Sequence, residues 1–130
     1  MNKYYYPAVF QQEDEGFSVW AYDVPGCISQ GNTLEEAVEN IKDAFGLFVE
    51  EEKEDGVKIP KASNPADIPL EDGQFVALFE FDWLEYLKKN DKRTVKKTLT
   101  IPAWLNAAAE EKHVNFSGVL KEALIARLRI

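Results

Sequence analysis

Three polar side chains at alternate positions near the C-terminus have chemistry suited to contacts with nucleic acid. Lys96, Thr98 and Thr100 alternate along the chain with Leu99 and Ile101. Because successive side chains of a strand point to opposite faces, the polar side chains should share one face. One cation and two hydroxyl groups suit hydrogen bonds to base edges in a DNA groove. An ordinary amphipathic edge strand is the alternative interpretation, since Lys and Thr are common on solvent-facing strands.

A set of carboxylates is the second group that could do chemistry. Metal-dependent hydrolysis of nucleic acid needs several carboxylates that converge on divalent ions. The candidates by type are Asp23, Glu36, Asp43, Glu80 and Asp82. Structural roles are favoured, because Glu36 is predicted to cap a helix, Asp43 to face solvent and Asp82 to end a strand. We therefore predict that the protein is not an enzyme and has no metal or cofactor.

Nucleophilic catalysis has less support. The single histidine, His113, falls in a predicted turn between two short helices. The single cysteine, Cys27, follows a Pro-Gly turn and is predicted to be a small buried side chain. These two residues cannot supply an internal disulfide, or a zinc site from cysteine and histidine alone. No signal peptide or membrane-length apolar run is evident, so we expect a reduced, cytoplasmic protein.

Charge is distributed unevenly along the chain. Residues 1–91 hold 7 basic and 20 acidic groups (−13), whereas residues 92–130 hold 8 basic and 3 acidic groups (+5), which together give the net charge of −8. Such asymmetry indicates two modules with different partners. The acidic part should attract a basic partner, and the basic part should attract nucleic acid.

The first part of the chain predicts an α+β arrangement with one main helix on an antiparallel sheet. Pro7 interrupts the first strand and favours an edge position for it. Thr33 and Glu36 form a capping box at the start of the helix. The predicted elements are strands at Tyr4–Gln11, Phe17–Val24, Cys27–Gly31 and Gln74–Phe81, a helix ending near Glu54, a loop over 56–73, and a short helix or connector over Asp82–Asn90.

Helical spacing predicts which face of the main helix packs on the sheet. The apolar stripe consists of Leu34, Ala37, Val38, Ile41, Phe45, Phe48 and Val49. Glu35, Glu39, Lys42 and Asp43 lie on the other side of the helix. We assign Glu35, Glu39 and Asp43 as the candidates for contact with a basic protein partner.

The last part of the chain reads as a strand followed by two helices. Pro102 ends the strand and suits the first turn of a helix over Ala103–Lys112. Asn115 can cap the last helix, which carries Phe116, Val119, Leu120, Ala123, Leu124 and Leu128. Fewer than about 40 residues rarely bury enough apolar surface to fold alone. We therefore predict an obligate dimer in which two copies of the strand pair into a ribbon.

The start of the last helix adds a second element that could contact DNA. The free backbone N–H groups of Phe116 and Ser117 can bind a phosphate. The predicted DNA-binding set is therefore Lys96, Thr98 and Thr100 on the ribbon, with Arg93, Asn115 and Ser117 beside it.

Two stretches resemble known families. Residues 93–102 and 114–124 resemble the ribbon-helix-helix family of Arc-type repressors. In that family, the residues six, four and two positions before the proline read bases, which maps onto Lys96, Thr98 and Thr100. Residues 23–37, D-V-P-G-C-I-S-Q-G-N-T-L-E-E-A, are similar to the HicB antitoxin pattern D-x-P-G-C-x-x-x-G-D/N-T-x-E-E-A.

The HicB resemblance implies an antitoxin and autorepressor. A truncated ribonuclease-H-like domain, residues 1–90, would bind and block a small basic HicA-type toxin that cleaves mRNA. A ribbon-helix-helix homodimer, residues 91–130, or a dimer of such dimers, would bind operator DNA and repress the operon. One alternative is a stand-alone repressor whose N-terminal domain senses a ligand or oligomerises. A weak metal-dependent nuclease is the least favoured alternative.

Overall fold

The computed structural model describes residues 3–130, and the chain divides after Arg93 into two compact units. The first unit holds strands β1 (Lys3–Gln12), β2 (Phe17–Ala21), β3 (Ile28–Gly31) and β4 (Gln74–Asp82), with helices α1 (Leu34–Asp55) and α2 (Trp83–Asn90). The second unit holds helices α3 (Ala103–Glu111) and α4 (Phe116–Leu128). No helix within residues 3–130 is both long and apolar enough to cross a membrane.

The four strands form one antiparallel sheet in the order β3-β2-β1-β4, with α1 packed on one face. The predicted α+β arrangement is confirmed. Alternate residues of the strands point toward α1 and form the core with it. The largest buried side chains in this core are Tyr6, Phe10, Ile41, Phe45, Phe79, Phe81 and Tyr86.

β1 is a central strand, so the prediction that Pro7 places it at an edge is wrong. The Tyr22 N–H donates to the Pro7 carbonyl at 3.1 Å. Because nitrogen and carbonyl of one residue face the same neighbour in an antiparallel strand, the Pro7 nitrogen faces the β2 side. The ladder between β1 and β2 has already ended there, at Ala8 and Ala21. Proline therefore removes no hydrogen bond from the ladder to β4.

The capping and packing of α1 follow the sequence closely. Thr33 Oγ1 accepts from the Glu36 N–H at 3.1 Å, and Gly56 ends the helix with a left-handed φ of 72°. The buried side of the helix consists of Ala37, Ile41, Phe45, Gly46 and Val49. Leu34, predicted to be part of this stripe, is instead 42% exposed. It is the first residue of the helix, and burial begins one turn later.

A long loop over residues 56–73 connects α1 to β4 and contains a turn of 3-10 helix at Pro65–Asp67. We call it the crossing loop. At one end of the sheet, Asp23 accepts hydrogen bonds from the Ser63 N–H at 2.9 Å and from the Ser63 hydroxyl. At the other end, the Gln12 N–H donates to the Gly73 carbonyl at 3.1 Å. The segment between these two anchors must therefore run along the sheet.

The crossing loop covers part of the outer face, which is the face of the sheet opposite α1. Val9 alternates with the core residues Ala8 and Phe10 and so points to the outer face. Val9 is nevertheless buried, as is Ile68 of the crossing loop. The covering is incomplete, because three large apolar residues on the outer face remain exposed: Tyr5, Ile28 and Leu78.

α2 packs against α1 through a glycine. Asp82 Oδ1 caps α2 by accepting from the Leu84 N–H at 3.0 Å. Tyr86 lies on Gly46, and its hydroxyl donates to Glu50 Oε1 at 3.0 Å. Burial, followed by the Glu50 interaction, raises the pKa of Tyr86 to about 12.

In the second unit, residues 94–101 form no strand within the single chain. The predicted strand, which pairs with its copy from a second chain, stays a prediction. A strand is defined by hydrogen bonds to a neighbouring strand, and this segment has no neighbour within its own chain. The two helices lie where the sequence predicts them. Asn115 caps α4, with its side-chain oxygen accepting from the Gly118 N–H at 3.1 Å.

We predict that Gly46→Ala lowers the free energy of unfolding of the first unit by roughly 1–3 kcal/mol, although alanine is the better helix former. A Cβ at position 46 would lie 2.1 Å from Tyr86 Cε1, so α2 would have to move. Urea unfolding followed by tryptophan fluorescence measures the change. Tyr86→Ala removes the ring that the new Cβ would meet. In the Gly46→Ala protein, Tyr86→Ala should therefore lower the free energy of unfolding by less than it does in the wild type. A Gly46→Ala protein that unfolds at the wild-type urea concentration would contradict this packing.

Candidate protein and DNA interfaces

The three acidic residues predicted to contact a protein partner occupy the exposed side of α1, but two of them have partners in the chain. Glu39 Oε1 lies 3.7 Å from Lys42 Nζ. Asp43 Oδ2 accepts from Lys89 Nζ of α2 at 2.8 Å, and this hydrogen bond raises the pKa of Lys89. Glu35 is exposed in the first turn. These pairs are largely solvated, so their contribution to stability is small.

A shallow groove beside α1 extends this acidic surface toward the end of β4. Its acidic lining residues are Glu39, Asp43, Glu80, Asp82 and Glu85. Lys42 and Lys89 also line the groove. The structure thus joins two of the predicted acidic residues on α1 to three others that the sequence analysis did not connect with a protein partner. The fold brings them together although they are about 40 positions apart in the sequence.

Four of the five carboxylates considered as metal ligands have structural contacts. Asp23 holds the crossing loop, Asp82 caps α2, and Asp43 pairs with α2. Glu80 Oε1 lies 3.5 Å from Lys3 Nζ, and its other oxygen accepts from the Tyr5 hydroxyl. Within residues 3–130, no group of three histidine, cysteine or acidic residues could hold a metal ion.

The two residues considered for nucleophilic chemistry lie in unrelated places. Cys27 is fully buried in the core of the first unit, as predicted, and burial raises the pKa of its thiol to about 11. His113 lies between α3 and α4 with a left-handed φ of 54°. These two side chains belong to different units of the chain.

The second unit exposes almost all of its apolar side chains. No residue between 94 and 130 is buried within the single chain. Leu99 and Ile101, which the sequence predicts in a dimer core, are 57% and 47% exposed. The other exposed large apolar residues are Val95, Trp104, Leu105, Val114, Phe116, Val119, Leu120, Leu124, Ile125, Leu128 and Ile130. Exposed apolar surface of this extent is typical of a surface that associates with another molecule.

The predicted DNA-binding residues lie at three places. Lys96, Thr98 and Thr100 are all exposed in the segment before α3. At the start of α4, the Asn115 cap takes the Gly118 N–H and so does not use the N–H of Ser117. The last member of the set falls in the first unit: Arg93 forms a two-point ion pair with Asp91, with both N–O distances 2.9 Å. This pairing lowers the pKa of Asp91 to about 2.

Residues 5–124 match a family model described as a HicB-like antitoxin of bacterial toxin–antitoxin systems. An uncharacterised 14.9 kDa protein from the rep-hol intergenic region of Haemophilus phage HP1 is 33% identical over 104 residues, 77% of this chain and 74% of that protein. A toxin–antitoxin complex from Streptococcus pneumoniae contains a similar chain (26% identity, TM-score 0.61), with 96% of this chain and 99% of that chain covered. The complex of HicA3 and HicB3 contains another (28% identity, TM-score 0.52), with 61% and 99% covered.

The class defined by these matches is that of antitoxins, which are generally not enzymes. The match extends over both units of the fold. The chain belongs to the HicB-like antitoxin family.

We predict that Leu99→Ala destabilises the second unit by roughly 2–5 kcal/mol and acts by dissociating a dimer. The reason is that Leu99, more than half exposed in one chain, would be covered in a core shared by two copies. Analytical ultracentrifugation and melting over a range of protein concentrations measure the effect. Thr98→Ala, on the opposite face of the same segment, is the control and should leave the dimer intact. A Leu99→Ala protein that stays dimeric, with melting independent of concentration, would show that the interface lies elsewhere.

Proposed function

We propose that this protein neutralises a HicA-type toxin in the cytoplasm and represses its own operon. The first unit, a truncated ribonuclease-H-like fold, binds the toxin. The second unit forms a ribbon-helix-helix homodimer that binds operator DNA. The observation that carries the proposal is the division of one antitoxin-family chain into an acidic unit with its own core and a unit that has no buried residue in a single chain.

Toxin binding by the first unit is supported by charge and by the structural neighbours. Up to Arg93 the chain holds 9 basic and 20 acidic residues, a net charge of −11. A small RNA-cleaving toxin of the kind the family resemblance implies is basic, so opposite charges would steer the two proteins together. The similar chains of solved structure include one from a complex of HicA3 with HicB3.

Operator binding by the second unit is supported by the physical need for a second copy. Antiparallel pairing of residues 94–101 from two chains would supply the missing strand partner and cover Leu99 and Ile101. The resulting two-stranded ribbon has a width that the DNA major groove admits. Lys96, Thr98 and Thr100 would then face the bases twice, once from each chain.

Co-expression distinguishes this proposal from a stand-alone repressor. Any short reading frame found beside this gene that encodes a basic protein would be expressed alone and together with this chain. We expect that the basic protein arrests growth alone, that this chain restores growth, and that the two proteins co-purify. Restored growth with the first unit alone would place neutralisation in that unit. Failure to co-purify, with operator binding retained, would instead favour the stand-alone repressor.

We predict that Glu35→Gln slows association with the toxin roughly 2- to 5-fold at low salt, because an exposed charge contributes mainly to steering. Stopped-flow association rates measure this effect. At about 1 M salt, where the screening length is about 3 Å, the variant and the wild type should associate equally fast. Glu110→Gln, an equivalent charge change in the second unit, is the control and should have little effect. A difference for Glu35→Gln that persists at high salt would indicate a direct contact and not steering.

A second prediction concerns base reading. Thr98→Ala should weaken operator binding by roughly 1–3 kcal/mol for each affected base pair and leave binding to scrambled DNA unchanged. Ser117→Ala is the comparison, because a change at the helix end that binds phosphate should weaken both DNAs equally. Titrations on both DNAs at two salt concentrations separate these effects. Each phosphate that the protein neutralises contributes about −0.9 to the slope of the logarithm of the binding constant against the logarithm of the salt concentration. Equal losses on both DNAs for Thr98→Ala would show that the ribbon does not read sequence.

A further inference from the structure

β4 is an edge strand whose outward backbone groups have no partner in the chain. The Gln12 N–H donates to the Gly73 carbonyl, and this bond fixes the alternation of the ladder between β1 and β4. The backbone groups of Phe75, Ala77 and Phe79 point toward β1. The N–H and C=O groups of Val76, Leu78 and Glu80 therefore point away from β1. Within residues 3–130, no hydrogen bond from another element reaches these groups. They form a row of free donors and acceptors along one side of the first unit.

The opposite edge of the sheet is protected, whereas the β4 edge is not. β3 has only four residues, and the Asn40 side chain of α1 donates to the outward Gln30 carbonyl at 2.7 Å. β4 has nine residues and no proline, and its only charged residues, Glu80 and Asp82, lie at its C-terminal end, so that residues 74–79 carry no charge. Proteins usually shield exposed edges with proline or charged residues, with short strands or with a covering element. The long unshielded edge is therefore a surface that can accept another strand.

Apolar side chains border this edge on both faces of the sheet. On the outer face, Leu78 is 59% exposed. On the face that carries α1, Phe75 is 38% exposed, and its neighbour on that face, Ala77, is also exposed. A strand added to β4 would bury these side chains as well as pair the backbone groups, and burial of apolar area would stabilise the complex.

Charge decides which kind of partner fits the edge. Between Lys61 and Lys88 the chain has six acidic residues and no basic one: Asp67, Glu71, Asp72, Glu80, Asp82 and Glu85. Lys3 and Lys88 pair with Glu80 and Glu85, which still leaves the stretch negative. Pairing β4 with a second copy of itself would bring two negative stretches together, and like charges across a sheet are unfavourable. A basic partner meets no such repulsion.

We propose that the toxin binds by adding one of its own strands to the open edge of β4. This inference rests on the proposed function and names the docking surface for it. The acidic residues of α1 and of the groove lie beside the end of β4 and steer the basic protein toward it. The edge then holds the toxin through main-chain hydrogen bonds, with Leu78 buried in the contact.

Two changes at one exposed residue test the edge in the full-length protein. Leu78→Pro removes an outward N–H and places a ring where the added strand would pair, without breaking a hydrogen bond to β1. Leu78→Lys replaces an apolar contact with a charge of the same sign as the partner. With the basic protein that the co-expression experiment identifies as the toxin used as the probe, we expect Leu78→Pro to weaken binding roughly 10- to 100-fold, mainly through faster dissociation, and Leu78→Lys roughly tenfold.

The matched control is Ile28→Lys on β3. Ile28 is 65% exposed on the same outer face, at the opposite and protected edge. This variant undergoes the same loss of apolar surface and the same charge change, so its affinity should stay within about twofold of the wild type. Equal weakening by Ile28→Lys and Leu78→Lys would overturn the assignment to β4.

Hydrogen exchange on the wild-type complex gives a readout that needs no variant. The amides of Val76, Leu78 and Glu80 should exchange at least tenfold more slowly when the toxin is bound, because opening of a hydrogen-bonded strand then limits exchange. The amides of Ala77 and Phe79 face β1 and serve as internal references. This measurement decides the matter if Leu78→Pro fails to fold, which thermal melting would reveal.

The outcomes distinguish a wrong docking edge from a wrong proposed function. If the wild type binds the toxin, but both Leu78 variants bind equally tightly and the three amides exchange unchanged, the docking edge is wrong and the proposed function stands. If the Leu78 changes alter only self-association of the antitoxin, the edge serves a second copy and the inference is also overturned. If the wild-type protein does not bind the toxin at all, the proposed function fails and the inference fails with it.

Discussion

The contact of α1 with the sheet, centred on Phe45, is the interaction on which the first unit depends. The Phe45 ring lies 5.0–5.9 Å from the rings of four aromatic residues on β1 and β4, namely Tyr4, Tyr6, Phe79 and Phe81. Aromatic pairs at these distances add to the stability gained from burial alone. Because this one helix covers one face of the sheet, the acidic residues of α1 face solvent. The edges of the sheet must then be shielded by other means. Asn40 and the shortness of β3 shield one edge, and β4 is left open.

The second unit, unlike the first, has no core within a single chain. Its helices are short, and no residue beyond position 93 is buried within the single chain. Ordering a segment of fewer than about 40 residues costs conformational entropy that burial within one chain usually does not offset. Association would supply both the missing strand partner and the missing core, so the module would fold and acquire a two-fold DNA-binding surface in the same step. On the proposed function, repression is thereby coupled to assembly, whereas toxin binding belongs to a unit that already has a core.

On the proposed docking of the toxin, long-range attraction and close contact would fall to neighbouring parts of the first unit. Acidic residues on α1 and in the groove would act over the range of the electrostatic field, which salt weakens. Backbone groups along β4 would act only on contact, and their geometry would select a strand and not merely a positive charge. This separation agrees with the structural roles of other carboxylates. Asp23 and Asp82 hold the crossing loop and the start of α2, so they organise the surface without forming part of it.

The sequence by itself determined the order of elements in the first unit, the two helices of the second, the caps at Thr33 and Asn115 and the opposite charges of the two parts. These features depend on residues within a turn or two of one another, or on composition alone, and so can be read without knowing the fold. The position of each strand in the sheet was decided only by the tertiary structure. Pairing between Lys3 and Asp82 makes β1 central despite Pro7, and it leaves β4 at the edge. Such pairing depends on contacts between residues about 80 positions apart. No local pattern encodes which neighbour a strand will have, and for that reason the open edge was visible only once the chain was folded.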